Sequence, residues 1–249
     1  MTGEGGILAG KAALVTGASR NLGATIAETL ADCGATVAVN YRSSAEAAAE
    51  LVERLRRKTG REHVAVQADV TRSAEVSRLV ETAADAFGGR LDVLVNNAGP
   101  FSITPYADLP EREWDEIWDA NVKSAYLAAR GVAPLMKRAG WGRIVNISAA
   151  SSVLRNHSIY GLAKDALVFL TEELALELAP EVTVNAVAPG QIVESAADIA
   201  EFDSTFVERS IAATPAGRLV TRREVADIVA ALCGPAFAAV TGATIPIDG

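Results

Sequence analysis

The sequence is short of cysteine. Of 249 residues only Cys33 and Cys233 carry a thiol, far apart and outside any CxxC or Cys/His cluster. Such usage gives neither a disulfide framework nor a structural zinc site, and both residues read as small buried hydrophobes. An excess of basic charge is also missing: 23 Lys and Arg stand against 31 Asp and Glu, a formal net charge of −8. A binder of phosphate backbones needs a basic face, so nucleic acid is not an expected partner, although a local basic pocket for a small anion stays open. No window approaches the roughly 18 apolar residues that span a bilayer. MTGEGGILAGK, at the start, has no basic region followed by a long apolar run. The chain is expected to be soluble and cytoplasmic, with no membrane partner. Lacking repeats, low-complexity tracts and linkers, residues 1–249 are expected to form one domain.

What is present is alternation. Short valine-rich runs recur at 12–17, 36–41, 63–69, 91–97, 142–148 and 182–190, bounded by turn residues. Such runs are too short for helices and read as strands buried on both faces. Amphipathic stretches lie between them at 22–33, 44–58, 73–87, 111–138 and 158–179, with 221–232 following. Strict strand–helix alternation implies right-handed crossovers and an α/β fold, a doubly wound parallel sheet with helices on both faces, closed by a last strand at 243–247. The stretch 191–220 is long for a connection in such a fold and reads as a lid over a ligand, or else as a subunit contact.

In open α/β sheets ligands sit beyond the carboxyl ends of the strands. The first such end is TGASRNLG, 16–23. Gly17 permits a tight turn and Gly23 a close helix–sheet approach, while Ser19, Arg20, Asn21 and Leu22 open a helix whose N–H groups and dipole suit a pyrophosphate. The second strand ends in Asn40, Tyr41 and Arg42, with no acid before Glu46 to accept the ribose 2′-hydroxyl of NAD. A 2′-phosphate fits better there, held by the fork of Arg42 with help from Arg20, so the expected cofactor is NADP(H). Asp69 and Val70 end the third strand, where the carboxylate either accepts from an adenine amine or begins the next helix. Asn97, Ala98 and Gly99 end the fourth, small enough for backbone to approach a ribose.

The stretch NISAASSVLRNHSIYGLAK, 146–164, places Tyr160 and Lys164 four residues apart, on one face of a helix beginning near Ser158. A phenol with a reference pKa of about 10 is a poor acid or base at neutral pH, and a neighbouring ammonium favours its phenolate, so the pair is a tunable proton donor and acceptor. His63, within a strand run, reads as structural. His157, three residues before Tyr160, is either a substrate contact or a solvated loop residue.

Together TGASRNLG, ADV, NNAG, Asn121 in DANVKS, YGLAK and PGQI (189–192) give the chain, over essentially its full length, a resemblance to the short-chain dehydrogenase/reductases. The resemblance implies a Rossmann fold with a nicotinamide lying across the strand ends. It implies Tyr160 as the proton donor and acceptor, with Lys164 binding the nicotinamide ribose and lowering the phenol's pKa. Asn121 would hold a water in the proton path, and Pro189, Gly190, Gln191 and Ile192 would lie near the carboxamide. It further implies a serine that orients the substrate carbonyl and a homo-oligomer, a tetramer or dimer, built through the helices at 111–138 and 158–179. The closest flavour is a 3-oxoacyl-carrier-protein reductase; a pteridine-reductase-like enzyme and a non-catalytic NADP-binding sensor or scaffold are the alternatives.

Three positions depart from the family pattern. Asn21 stands where a glycine is usual, and asparagine tolerates left-handed backbone better than most residues. Glu194 stands where a threonine is common. The segment between the fifth strand and Tyr160 is two residues short, so the serine count falls on Ala149 from one side and Ile147 from the other. Ser148 is nearest to both and is the expected working hydroxyl, with Ser151 as rival and, as the third alternative, no serine at all, Tyr160 orienting the oxygen alone.

Overall fold

The computed structural model describes residues 6–150, 158–200 and 205–249. Its seven strands are β1 (Ala12–Val15), β2 (Thr36–Tyr41), β3 (Val64–Gln67), β4 (Val93–Asn96), β5 (Gly142–Ile147), β6 (Val182–Pro189) and β7 (Thr244–Ile247). They form one sheet in the order β3-β2-β1-β4-β5-β6-β7, and each neighbouring pair runs parallel. The helices are α1 (Asn21–Asp32), α2 (Ala45–Thr59), α3 (Ser73–Ala86), α4 (Glu111–Trp118), α5 (Ser124–Ala139), α6 (Ile159–Leu178), α7 (Val193–Ala200), α8 (Phe206–Ala213) and α9 (Arg222–Cys233).

The period of two along each strand sorts the core into two layers. Ala13, Val15, Val37, Val39, Val93 and Val95 meet Ile26 and Leu30 of α1, Leu51 and Leu55 of α2, and Val225 and Val229 of α9. The intervening Leu14, Ala38 and Leu94 point the other way, into Leu79 of α3, Val132 and Met136 of α5, and Leu174 and Leu178 of α6. Leu14 is wholly buried, and truncating such a residue to alanine costs about 2–5 kcal/mol. In β5 and β6 every residue is buried, which is why those segments read as unbroken apolar runs.

The edge strand β3 differs from the expectation of a strand buried on both faces, and the closing strand β7 is an edge as well. In β3 only Val66 is buried, and in β7 no residue is. Each has a single neighbouring strand, so part of its surface faces outward, and Pro246 is tolerated in β7 because an edge leaves one side free of ladder bonds. The stretch 111–138 is likewise not one helix: a π-helical turn, Asp119–Lys123, separates α4 from α5.

His63 is fully buried. Its Nδ1 accepts from the Val37 amide at 3.1 Å, and its Nε2 lies 2.9 Å from Thr59 Oγ1. Burial, aided by Arg61 and Arg56, pushes its pKa down to about 4, so it is a neutral strut. Both cysteines are free thiols; burial raises Cys233 to about 12. Among the described residues no helix is long and apolar enough to cross a membrane, and no group of three or more His, Cys, Asp or Glu is placed to hold a metal ion.

Candidate active site

Between β1 and β4 the strand order reverses its direction of growth, and a crevice opens at the carboxyl ends on that line. Its floor is tied together by side chains of the strand ends. Thr16 Oγ1 accepts from the amides of Asn97 at 3.0 Å and Ala98 at 3.1 Å. Asn97 Nδ2 donates to the carbonyls of Thr16 and Gly17. Asn40 is buried: its Oδ1 accepts from the Gly17 amide at 3.1 Å, and its Nδ2 donates to Ala68 O at 3.1 Å and to Val66 O at 3.3 Å. Asn40 therefore bridges three strand ends with its whole amide.

On this floor the glycine turn has no room for side chains. A Cβ on Gly17 would lie 3.1 Å from Ala98 Cα, and one on Gly23 would lie 2.5 Å from the Gly17 carbonyl and 2.6 Å from Asn97 Nδ2. Asn21, at the first position of α1, has φ 53°, in the left-handed region. The asparagine thus adopts the backbone for which a glycine is more usual.

The crevice beside this turn has a volume of about 820 Å³ and is lined by Gly17, Ser19, Arg20, Asn21, Leu22 and Gly23, by Asn40, Tyr41 and Arg42, by Asp69 and Val70, and by Asn97, Ala98 and Gly99. All the residues expected to cradle the adenosine half are thus brought together. Arg20 and Arg42 are exposed, and neither has a salt-bridge partner among the described residues. Asp69 Oδ1 accepts from Thr71 N at 3.0 Å and Thr71 Oγ1 at 2.7 Å, a local turn ahead of α3. Burial opposes its ionisation, but the two Thr71 bonds, with Arg42 and Arg72, hold the carboxyl below its ordinary value. Glycines without room for a side chain, set at a helix start beside an open crevice, fit the pyrophosphate of a dinucleotide.

A second cavity, of about 790 Å³, adjoins the first at Leu22 and contains Phe101, Ile147, Ser148, Ala149, Tyr160, Pro189, Gly190, Gln191 and Ile192. Ser158 caps α6, its Oγ accepting from Gly161 N at 3.1 Å, and fixes the rise of the helix that carries Tyr160 and Lys164. Lys164 is only 4% exposed. Its Nζ donates to Ile147 O at 2.8 Å and lies 5.4 Å from the centre of the Tyr160 ring. Burial lowers Lys164 to about 7 and raises Tyr160 to about 12. The phenol is therefore protonated at neutral pH, able to give a proton. Ser148 is buried and its Oγ donates to Lys164 O at 3.0 Å.

Asn121 sits in the π turn, where its Nδ2 donates to Ile117 O at 2.9 Å and Pro100 O at 3.1 Å. Its Oδ1 is buried with no hydrogen-bond partner, and a Cβ on Gly99 would collide with it. The helix defect thus points a free acceptor at the end of β4.

The segment after β6 is helical over α7 and α8 rather than irregular. Its ends meet: Ile192 bridges Val220, with Val193 N donating to Val220 O at 2.8 Å. Glu194 turns from the cavity, and both its oxygens accept from Arg222 N, at 3.2 and 3.1 Å, at the start of α9. It fastens the excursion instead of standing in for a carboxamide contact. Ser151 and His157 lie outside the described residues. Phe101, in the loop that follows the Asn-rich end of β4, meets the ring of Tyr160 edge-on with centroids 5.1 Å apart.

A family model described as enoyl-(acyl carrier protein) reductase matches residues 17–249. The chain is 37% identical over 242 residues to the 3-oxoacyl-[acyl-carrier-protein] reductase of Staphylococcus aureus (strain Mu50), covering 96% of this chain and 97% of that one. To the D-beta-hydroxybutyrate dehydrogenase of Rhizobium meliloti (strain 1021) it is 31% identical over 253 residues, covering 96% and 97%. Among solved structures, a 7 alpha-hydroxysteroid dehydrogenase complexed with NADH and 7-oxo glycochenodeoxycholic acid superposes with a TM-score of 0.91 at 30% identity, over 97% of this chain and 94% of that one.

Proposed function

The chain belongs to the short-chain dehydrogenase/reductase family, and on that premise we propose that it is an NADP(H)-dependent reductase working between a ketone and its secondary alcohol. The observation that carries this reading is the common face of α6, on which Tyr160 lines the cavity and the buried Lys164 follows one turn on, its Nζ 5.4 Å from the centre of the phenol ring. The dinucleotide, when bound, supplies or takes the hydride; the protein supplies position and a proton.

Tyr160, with its pKa near 12, gives its proton to the substrate oxygen as that oxygen gains charge. Lys164, poised near 7, would hold the nicotinamide ribose through its amine and keep positive charge near the phenol. Ser148 lines the cavity beside Tyr160 and keeps the lysine's backbone in place, and we assign it the orienting hydroxyl, its proton turning from Lys164 O to the substrate oxygen on binding. Asn121 holds a water on the path to Lys164, a role its unpartnered Oδ1 and distorted helix support. Pro189, Gly190 and Ile192 flank the carboxamide. The preference for NADP(H) over NAD(H) is supported by Arg20 and Arg42 and by the lack of an acid at the end of β2.

The relatives named above differ in substrate, from a 3-oxoacyl thioester to a steroid, so the shared residues do not fix one. A 3-oxoacyl thioester or a related ketone is the class we favour, on the strength of the 37% identity. The partner is a second copy of the chain: Leu162, Phe169 and Leu176 recur every seventh residue on the outer face of α6, and are 40%, 62% and 79% exposed. Screening NADPH consumption against ketones, 3-oxoacyl thioesters, quinones and pterins tests the activity, and silence with every carbonyl would overturn it.

A further inference from the structure

The segment that leaves β4, residues 100–110, has no regular structure of its own, yet it is fastened at two places. Ser102 Oγ and Thr104 Oγ1 both donate to Oε1 of Glu113, at 2.6 and 2.8 Å, and Thr104 N donates to Ser102 Oγ at 3.2 Å. Glu113 lies in the first turn of α4, where its charge is favoured by the helix dipole. Further along, Tyr106 Oη donates to Ser158 O at 2.9 Å, at the cap of the helix that carries Tyr160. The first residue inside this fastening is Phe101, 55% exposed, with its ring against Tyr160. An apolar ring so exposed beside a proton donor costs hydration unless something apolar covers it.

We infer that Glu113 is a positioning residue for substrate selection: by holding Ser102 and Thr104 it keeps Phe101 beside Tyr160 as a fixed apolar wall for the larger substituent of the ketone. The inference rests on the reading of Tyr160 as proton donor. The carboxylate acts at a distance, through two hydroxyls and one ring, and touches neither substrate nor cofactor. One acceptor oxygen gathering two donors makes the segment rigid without a regular element, and a wall set before binding loses less entropy on binding than one that must be ordered by the ligand.

Two measurements on the full chain decide it. The chain has six phenylalanines, so 4-fluorophenylalanine labelling gives a resolvable fluorine NMR spectrum in which Phe101→Leu identifies the relevant signal. Glu113→Ala should move that signal toward the value of a free ring, whereas Glu113→Gln, which keeps Oε1 as an acceptor, should leave it near its original place. In parallel, KM for acetophenone should rise by up to about 10-fold in Glu113→Ala with little change for 2-butanone, too small to reach Phe101. Phe101→Ala should do the same, and the double variant should be no worse than Phe101→Ala alone. An unmoved fluorine signal, an equal loss on both ketones, or full additivity with Phe101→Ala would overturn the inference. Failure of the unaltered protein to reduce either ketone would instead count against the carbonyl-reductase reading, and the fluorine signal would still decide the role of Glu113.

Discussion

Ser148 and Lys164 are tied together across the end of β5. The serine hydroxyl donates to the lysine's own carbonyl at 3.0 Å, and the lysine Nζ donates to the carbonyl of Ile147, the residue before the serine, at 2.8 Å. One contact fixes the backbone of α6 and the other its ammonium, so a change at Ser148 reaches the proton relay even without touching substrate. Ser148→Ala is expected to slow single-turnover hydride transfer by about 10²-fold at saturating NADPH, as for loss of one preorganised donor. A variant that runs at full speed would remove Ser148 from the mechanism.

Tyr160→Phe keeps the ring that meets Phe101 and deletes only the acid. Turnover should fall by at least about 10³-fold while NADPH affinity, followed by nucleotide fluorescence, stays within about 2-fold. Lys164→Ala should harm both quantities, since its ammonium serves ribose and phenol together. Equal rates in Tyr160→Phe and the unaltered enzyme would mean that the proton has another source.

Arg42→Asp replaces the proposed partner of the 2′-phosphate with a like charge. A charge-assisted contact of roughly 1.5–3 kcal/mol corresponds to about 10- to 100-fold in NADPH affinity, and NADH should bind better than before. Titration of both cofactors checks this; an unchanged NADPH affinity separates Arg42 from the 2′-phosphate.

Burial of Lys164 is a cost to the fold. Its pKa drops from 10.5 to about 7, so between those values the unfolded chain holds a proton that the native protein has released. Stability therefore rises with pH across that window, and the full penalty, on the order of 5 kcal/mol, applies below about pH 7. Lys164→Met should raise the melting temperature at pH 6, with a gain that shrinks toward pH 10. A gain of equal size at both pH values would show that packing, not charge, is the cause.

The strands were readable because a parallel sheet buries both faces of its inner members, as β5 and β6 demonstrate; β3 misled because which strand lies at an edge is a property of strand order. Tyr160 and Lys164 were readable because helical spacing is local. The π turn at Asn121 was not, since its neighbours are ordinary helix residues and the defect is held by Asn121 Nδ2 on Ile117 O and Ser124 Oγ on Ala120 O. Glu194 and Arg222 are 28 positions apart, and nothing between them announces their contact. Asn40 lines the crevice as its place at the strand end suggested, but that its amide also ties together Gly17, Val66 and Ala68 was not legible, since those partners lie on other strands.

The pairing of Ile192 with Val220 makes the residues between them a detachable module. Because the two ends are already in contact, lengthening or shortening the intervening chain changes closure entropy only as the logarithm of its length. β6, α9 and the Tyr160 helix need not move to accommodate a different insert. The module's described residues that line the second cavity, Ser195, Ser210, Ala213, Thr214 and Pro215, can therefore be varied to reshape that cavity while Tyr160 and Lys164 keep their places on α6.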